Sequence, residues 1–282
     1  MSVPRRVGAL LVVAVLAVAS CGQAPRDGAS TVERSVRVPP VDGGFDYQLG
    51  GSYDTKDVSV VVRDESAQPL AGVYNVCYVN GFQTQPGDGE NWLQHRDTAV
   101  LRDGHAAAVV DPDWPDEYVL DPSTPAQRQV ILDAVGPLIA SCADKGFDAV
   151  ELDNFDTFTR FRDAAAGHIE EQGAFELARS YTSLAHAEGL AIGQKNAAEA
   201  ADRGRHEVGF DFAVAEECAA FSECGLYRRA YGPHVLQIEY TDNLPQPFDA
   251  VCASPDRAPQ LVLRDRDLVA RGAAGYAYEQ CR

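Results

Sequence analysis

The chain has 282 residues, which at roughly 100–200 residues per domain allows one large domain or two small ones. Hydrophobic residues make up 45% and charged residues 23%, a globular balance that excludes a mainly disordered, collagen-like or coiled-coil chain. With 24 basic against 42 acidic residues the net charge is −18, which argues against nucleic acid as a partner and suits a cationic one.

Residues 1–20 read as an export signal: Arg5 and Arg6 charge its start, and Val7 to Ala19 is apolar but too short to span a bilayer comfortably. It ends in Val18-Ala19-Ser20-Cys21, which resembles a bacterial lipobox and implies cleavage before Cys21 and lipidation of that cysteine. Residues 21–44 are rich in Gly, Pro, Ser and charge and are expected to form a flexible tether. The folded body is then expected at 45–282, outside the cytoplasm, lipid-anchored to the cell membrane or secreted. Of seven cysteines, Cys21 leaves six, an even number that fits an oxidising compartment. Six allow 15 connectivities. The favoured set starts from the short Cys218–Cys224 loop, then Cys252–Cys281, leaving Cys77–Cys142.

Six apolar, largely β-branched runs follow: Val58–Val62, Val73–Val79, Phe147–Leu152, Leu190–Gly193, Phe210–Ala215 and Val235–Ile238. Runs apolar on both faces suit strands of a parallel sheet buried on both sides. Helices alternate with them. Ser123-Thr124-Pro125 starts one, Val130, Ile131, Val135, Leu138 and Ile139 continue it, Pro137 is expected to kink it, and Gly146 ends it. A second carries Phe175, Ala178, Tyr181, Leu184 and Ala185 and stops at Gly189. Such alternation over about 240 residues predicts an α/β fold, a single (β/α)₈ TIM barrel. Two long connections, Gly81–Trp114 and Phe155–Gly173, would lie at the C-terminal ends of strands, where Trp92, Trp114 and Phe82 could wall a glycan cleft.

The residues closing the strands are mostly acids: Asp64, Asn80, Asp121, Glu151 with Asp153, Lys195 with Asn196, Glu216 with Glu217, and Glu239. Buried charge is costly without a partner or a purpose. Glu151 and Asp153, two apart on a strand, share a face. Neighbouring carboxylates push one pKa up, which supplies the acid and the anion of glycosidic cleavage. The competing reading is a rim of salt bridges at a barrel mouth. No His-x-His strand motif, Cys-x-x-Cys cluster, Gly-x-Ser-x-Gly elbow or phosphate loop is present, so neither metal nor cofactor is expected.

Five stretches carry a resemblance: Tyr47-Gln48-Leu49-Gly50; Gly146 to Asn154, with Glu151-Leu152-Asp153-Asn154 at its end; Gln194-Lys195-Asn196; Phe210 to Cys218, running on to Glu223-Cys224; and Ile238-Glu239-Tyr240. Together they are similar to the endo-α-1,4-polygalactosaminidase family, glycoside hydrolase family 114, over about residues 45–268. The resemblance implies a TIM-barrel glycosidase cutting α-1,4-linked galactosamine polymers, with Asp153 as nucleophile and Glu216 as acid/base in a retaining mechanism. It places Asp64, Glu151, Lys195, Asn196, Glu217, Glu239, Tyr240 and Trp114 at the substrate. The partners expected are a cationic amino-sugar polysaccharide and the membrane through Cys21, with the protein a monomer. Tyr47, Glu151 and Ala215 stand where the family usually has Trp, Asp and Asn, and the loss of the last amide is expected to remove a substrate hydrogen bond. The alternative is a glycan-binding surface lipoprotein that has lost hydrolysis.

Overall fold

The computed structural model describes residues 1–2 and 35–281. The expected signal segment beyond Ser2 and Cys21, where lipidation is expected, lie outside the described residues. Contacts divide the chain into units Met1–Val32 and Glu33–Arg282, and every element below belongs to the second. No helix among the described residues is long and apolar enough to cross a membrane.

Eight parallel strands follow one another around the sheet in chain order: β1 (Phe45–Gln48), β2 (Val60–Asp64), β3 (Tyr74–Asn80), β4 (Ala149–Asp153), β5 (Ala191–Lys195), β6 (Phe212–Glu216), β7 (Val235–Tyr240) and β8 (Gln260–Arg264). A last strand, β9 (Tyr278–Gln280), lies antiparallel on β8. The six apolar runs read from the sequence are β2 to β7. Side chains alternate in and out. Val60, Val62, Val76, Ala149, Ala191, Phe212, Val214, Leu236, Ile238 and Val262 fill the barrel interior. Cys77, Val79, Val150, Leu152, Ile192, Ala213 and Ala215 face the outer layer.

The sheet is a nearly closed TIM barrel, and its seam between β1 and β8 is joined by side chains. Arg264 is fully buried, pairs with buried Asp46 at 3.2 Å and donates to the Tyr47 carbonyl. Tyr278 Oη donates to the Phe45 carbonyl at 3.1 Å. These polar residues also explain why β1 and β8 do not stand out as apolar runs.

The main helices are α1 (Pro125–Lys145), α2 (Glu171–Ala187), α3 (Cys224–Tyr231) and α4 (Phe248–Cys252). Thr124 and Gln127 form a capping box at the start of α1, and Gly146 ends it in the left-handed region at φ 94°. α1 continues through Pro137, with Ile131, Val135, Ile139 and Cys142 buried along its length. Packing of that face outweighs the one backbone bond a proline removes. The disulfides are Cys77–Cys142, stapling α1 to the outside of β3, Cys218–Cys224, closing the loop after β6, and Cys252–Cys281.

Residues 35–44, read from composition as part of a tether, are fastened instead. Arg37 pairs with Asp148, and its carbonyl accepts from Tyr74 Oη. Gln260 Nε2 donates to the Pro40 carbonyl at 2.6 Å, and Pro39 is buried. Tyr74, Asp148 and Gln260 sit where β3, β4 and β8 begin, so this strap crosses the N-terminal end of the barrel.

Candidate active site

At the opposite end, strands β4, β5 and β6 finish on Asp153, Lys195 and Glu216, all at inward positions. The next residue of each, Asn154 (φ 61°), Asn196 (φ 50°) and Glu217 (φ 55°), lies in the left-handed region. Three sharp turns thus stop the chain where the charged side chain meets the barrel mouth. Asparagine tolerates this conformation; Glu217 does not favour it. Its carboxylate is locked by Arg266 at 2.8 and 2.9 Å and by Asn243, and Arg266 holds its pKa below the usual value.

Lys195 is the hub. Its Nζ lies 2.9 Å from Glu151, 3.3 Å from Glu216 and 3.4 Å from Asp153, with Tyr47 Oη also at 2.9 Å. Burial works against its charge, but the three carboxylates outweigh this and hold its pKa well above the usual value. The two contacts to Asp153 and Glu216 cap the separation of their nearest oxygens at 6.7 Å. Asp153 accepts from Tyr78 Oη at 2.5 Å and from the Asn154 N–H at 2.8 Å. Glu216 accepts from Tyr240 Oη and, at 3.1 Å, from Asn196 Nδ2, whose Oδ1 accepts the Glu216 N–H. The side chain of Glu216 is 23% exposed and that of Asp153 15%, so both reach the cleft.

That cleft has a volume of about 480 Å³. Its wall carries six acids, Asp64, Glu117, Asp153, Asp156, Glu216 and Asp267, against three cations, Lys195, Arg160 and Arg266. Gly50 also lines it. A Cβ there would come within 2.6 Å of the Asp267 and Leu268 carbonyls, so a side chain would force the loops after β1 and β8 apart. Burial pushes Glu117 up to about 7, with the charge of Asp153 adding. Burial likewise raises Asp156 to about 6, against the pull of Arg160.

Asp64, Asp153, Lys195, Asn196, Glu216, Tyr240 and Trp114 are brought together at the cleft. Three residues expected at the substrate are not. Glu239 alternates with Tyr240 on β7, so it points outward, fully buried, and accepts the Ala219 N–H at 2.9 Å. Glu151 does face inward but lies one layer below Asp153, fully buried beneath Lys195. Glu217 is taken by Arg266. Ala215 also points outward, so the missing amide subtracts nothing from the cleft wall. Asp121 closes no barrel strand; it accepts the Ser123 N–H at the entry to α1. Of the three aromatics in the first long connection, Trp92 and Phe82 are core and only Trp114, 56% exposed, reaches the cleft.

Sequence reasoning missed Tyr78, Glu117, Asp156, Arg160 and Arg266. Tyr78 was within reach, because it shares its strand face with Asn80. Glu117 comes from the middle of a long connection and is placed only by folding, where Asn80 Nδ2 donates to it at 2.8 Å.

The family model of glycoside-hydrolase family GH114 matches residues 26–282. Among solved structures, Aspergillus fumigatus Ega3 in complex with galactosamine superposes with a TM-score of 0.66 at 21% identity, covering 88% of this chain and 98% of that one. The glycoside hydrolase domain of PelA from Pseudomonas aeruginosa gives a TM-score of 0.56 at 14% identity, covering 82% and 98%. Both share the barrel fold. No curated protein sequence matches the chain.

Proposed function

The chain belongs to glycoside-hydrolase family GH114 and is a glycosidase, and from that membership we propose that it cleaves α-1,4-linked, galactosamine-containing polysaccharide with Asp153 and Glu216 as its working carboxylates. One observation carries the reading: the two side chains flank a single buried ammonium on the floor of an open, acidic cleft.

Glycosidic cleavage needs a carboxylic acid to protonate the departing oxygen and a carboxylate to meet the anomeric carbon or a water. Both carboxylates are held by three donors, and Asp153, the less exposed, suits the nucleophile. Glu216, more exposed, suits the group that exchanges protons with the leaving oxygen and with water. In the first step Asp153 bonds to the anomeric carbon as the C–O bond breaks, and Glu216 gives its proton to the leaving oxygen. In the second, Glu216 takes a proton from water as that water displaces Asp153. The 6.7 Å ceiling on the nearest oxygens leaves room for this retaining course, for which carboxyl groups stand about 5–5.5 Å apart. Galactosamine units carry ammonium groups, and the excess of acids on the cleft wall favours a cationic chain. Trp114 offers a face on which a sugar ring can stack.

The test is release of new reducing ends from a de-N-acetylated galactosamine polymer, lost in Asp153→Asn and in Glu216→Gln. NMR of the first product assigns the anomer, and an inverted one removes the retaining mechanism. Binding of the polymer by the unaltered protein without new reducing ends would favour the glycan-binding alternative.

We further propose export and lipid attachment at Cys21. Arg5, Arg6, the apolar run Val7–Ala19 and three disulfides support this reading. Mass spectrometry of the mature N-terminus checks it: an unmodified or uncleaved Cys21 would remove the anchor.

A further inference from the structure

We propose that Glu151 is a positioning residue that acts through Lys195: it holds the ammonium so that one N–H is shared between Asp153 and Glu216, and so sets the pH range in which the pair works. The proposal rests on the assignment of those two carboxylates above.

Glu151 has no access to the cleft and cannot touch a sugar. Its geometry instead creates a shortage. The Lys195 ammonium carries three N–H donors. Four acceptors stand within reach: Tyr47 Oη and Glu151 Oε1 at 2.9 Å, Glu216 Oε2 at 3.3 Å and Asp153 Oδ1 at 3.4 Å. Tyr47 gives its own hydrogen to Glu151 Oε1 at 2.6 Å, so toward Lys195 it only accepts. The two short contacts occupy two donors. One donor remains for two carboxylates at nearly equal, longer distances. It follows the negative charge, toward Asp153 while Glu216 holds a proton and toward Glu216 while Asp153 is bonded to sugar.

The second observation concerns the other oxygen of Glu151. Oε2 is buried without a hydrogen-bond partner. An ionised carboxylate with half its acceptors empty is costly, so this side chain is suited to hold a proton. Burial pushes it up to about 7; Lys195 opposes the rise and Asp153 adds to it. When ionised, Glu151 adds a negative charge beneath the pair and draws the ammonium away from the two cleft carboxylates.

The charged groups that face Glu151 are Lys195 and Asp153. From β1 comes the Tyr47 phenol. β3 contributes Tyr78, committed to Asp153, and β7 Tyr240, committed to Glu216. β2 offers Val60 and Val62 below Asp64 at the rim, and Arg264 of β8 is taken by Asp46 and Asp265.

The experiment is the pH profile of kcat and kcat/KM on de-N-acetylated galactosamine oligomers for Glu151→Gln, Glu151→Asp and Tyr47→Phe. In Glu151→Gln the basic limb of kcat/KM moves to lower pH by about one unit, kcat falls and KM holds. Glu151→Asp restores the limb. Tyr47→Phe, which frees one lysine donor without removing a charge, moves the limb in the same direction by less. If folded Glu151→Gln keeps the unaltered limb, or loses turnover with no movement of it, the proposal is overturned. Should Glu151→Gln fail to fold, an unmoved limb in Tyr47→Phe overturns it alone. Failure of the catalytic assignment has its own readout, unaltered turnover in Asp153→Asn or Glu216→Gln.

Discussion

The two ends of the barrel are built from the same eight strands and treat polar groups in opposite ways. At the N-terminal end acids are matched to donors. Asp148 accepts the Asn75 N–H at 2.9 Å and pairs with Arg37, while Asp211 accepts the Ile192 N–H at 3.0 Å and pairs with His186 at 2.8 Å. At the C-terminal end six acids on the cleft wall face three cations, three successive strands are each followed at once by a left-handed residue, and one ammonium serves three carboxylates. The matched end contributes stability. The mismatched end stores charge that a substrate can use.

The sharpest way to break this comparison is to remove a working acid. Glu216→Gln is expected to lower kcat by about 10²–10⁴-fold, the scale of general acid–base catalysis, and Asp153→Asn by at least as much. Melting temperatures should hold or rise, since a mismatched charge is removed. A clear fall in melting temperature with turnover kept would reverse the roles assigned to this end.

Disulfides sharpen it next. Loop entropy gives the Cys77–Cys142 link, across 65 residues, ~4 kcal/mol, and the Cys218–Cys224 link, across 6 residues, ~2 kcal/mol. Denaturant unfolding of the paired alanine variants should show that order. Turnover per folded molecule should suffer more from loss of Cys218–Cys224, which closes the loop after Glu216.

At the matched end, Asp148→Ala leaves the Asn75 N–H and Arg37 without their acceptor and should cost about 1–3 kcal/mol. The kcat of the folded fraction should be unchanged. A drop in kcat would show that the strap communicates with the cleft.

The smallest effect is one of pH. Glu117 and Glu151 at about 7 and Asp156 at about 6 keep protons in the folded state that the unfolded chain has already released. Their stabilising contribution is complete below the unfolded carboxylate range, near pH 4, and is lost as pH rises through 6 to 7. The melting temperature should therefore decline over that window. Glu117→Gln, neutral throughout, should flatten the decline; an unchanged slope would show that Glu117 does not titrate there. Glu217 acts in the opposite sense, since Arg266 lowers its pKa and its contribution is lost only as pH falls.

Much of this was legible in the chain. The alternation of apolar runs and capped helices placed β2 to β7, α1 and α2, and cysteine spacing led to the three pairs observed. Asp153, Lys195 and Glu216 stood out as charges closing buried strands. What misled was parity and depth. Glu239 and Ala215 occupy outward positions, Glu151 an inward one a layer too low, and residues 35–44 look like a linker by composition yet are tied down by Arg37, Pro39 and Pro40. β1 and β8 were hidden because Asp46 and Arg264 break their apolar pattern, and that buried pair joins the two strands across the seam.

Sequence by itself determined the class of fold, because hydrophobic periodicity and caps are local properties of neighbouring residues. It also determined which residue types were available for the chemistry. Only the tertiary structure decided which acids share Lys195, which face the cleft and which lie beneath it. Those facts depend on the register between strands that lie tens of residues apart in the chain, and on a donor shortage that exists only once four acceptors converge on one ammonium.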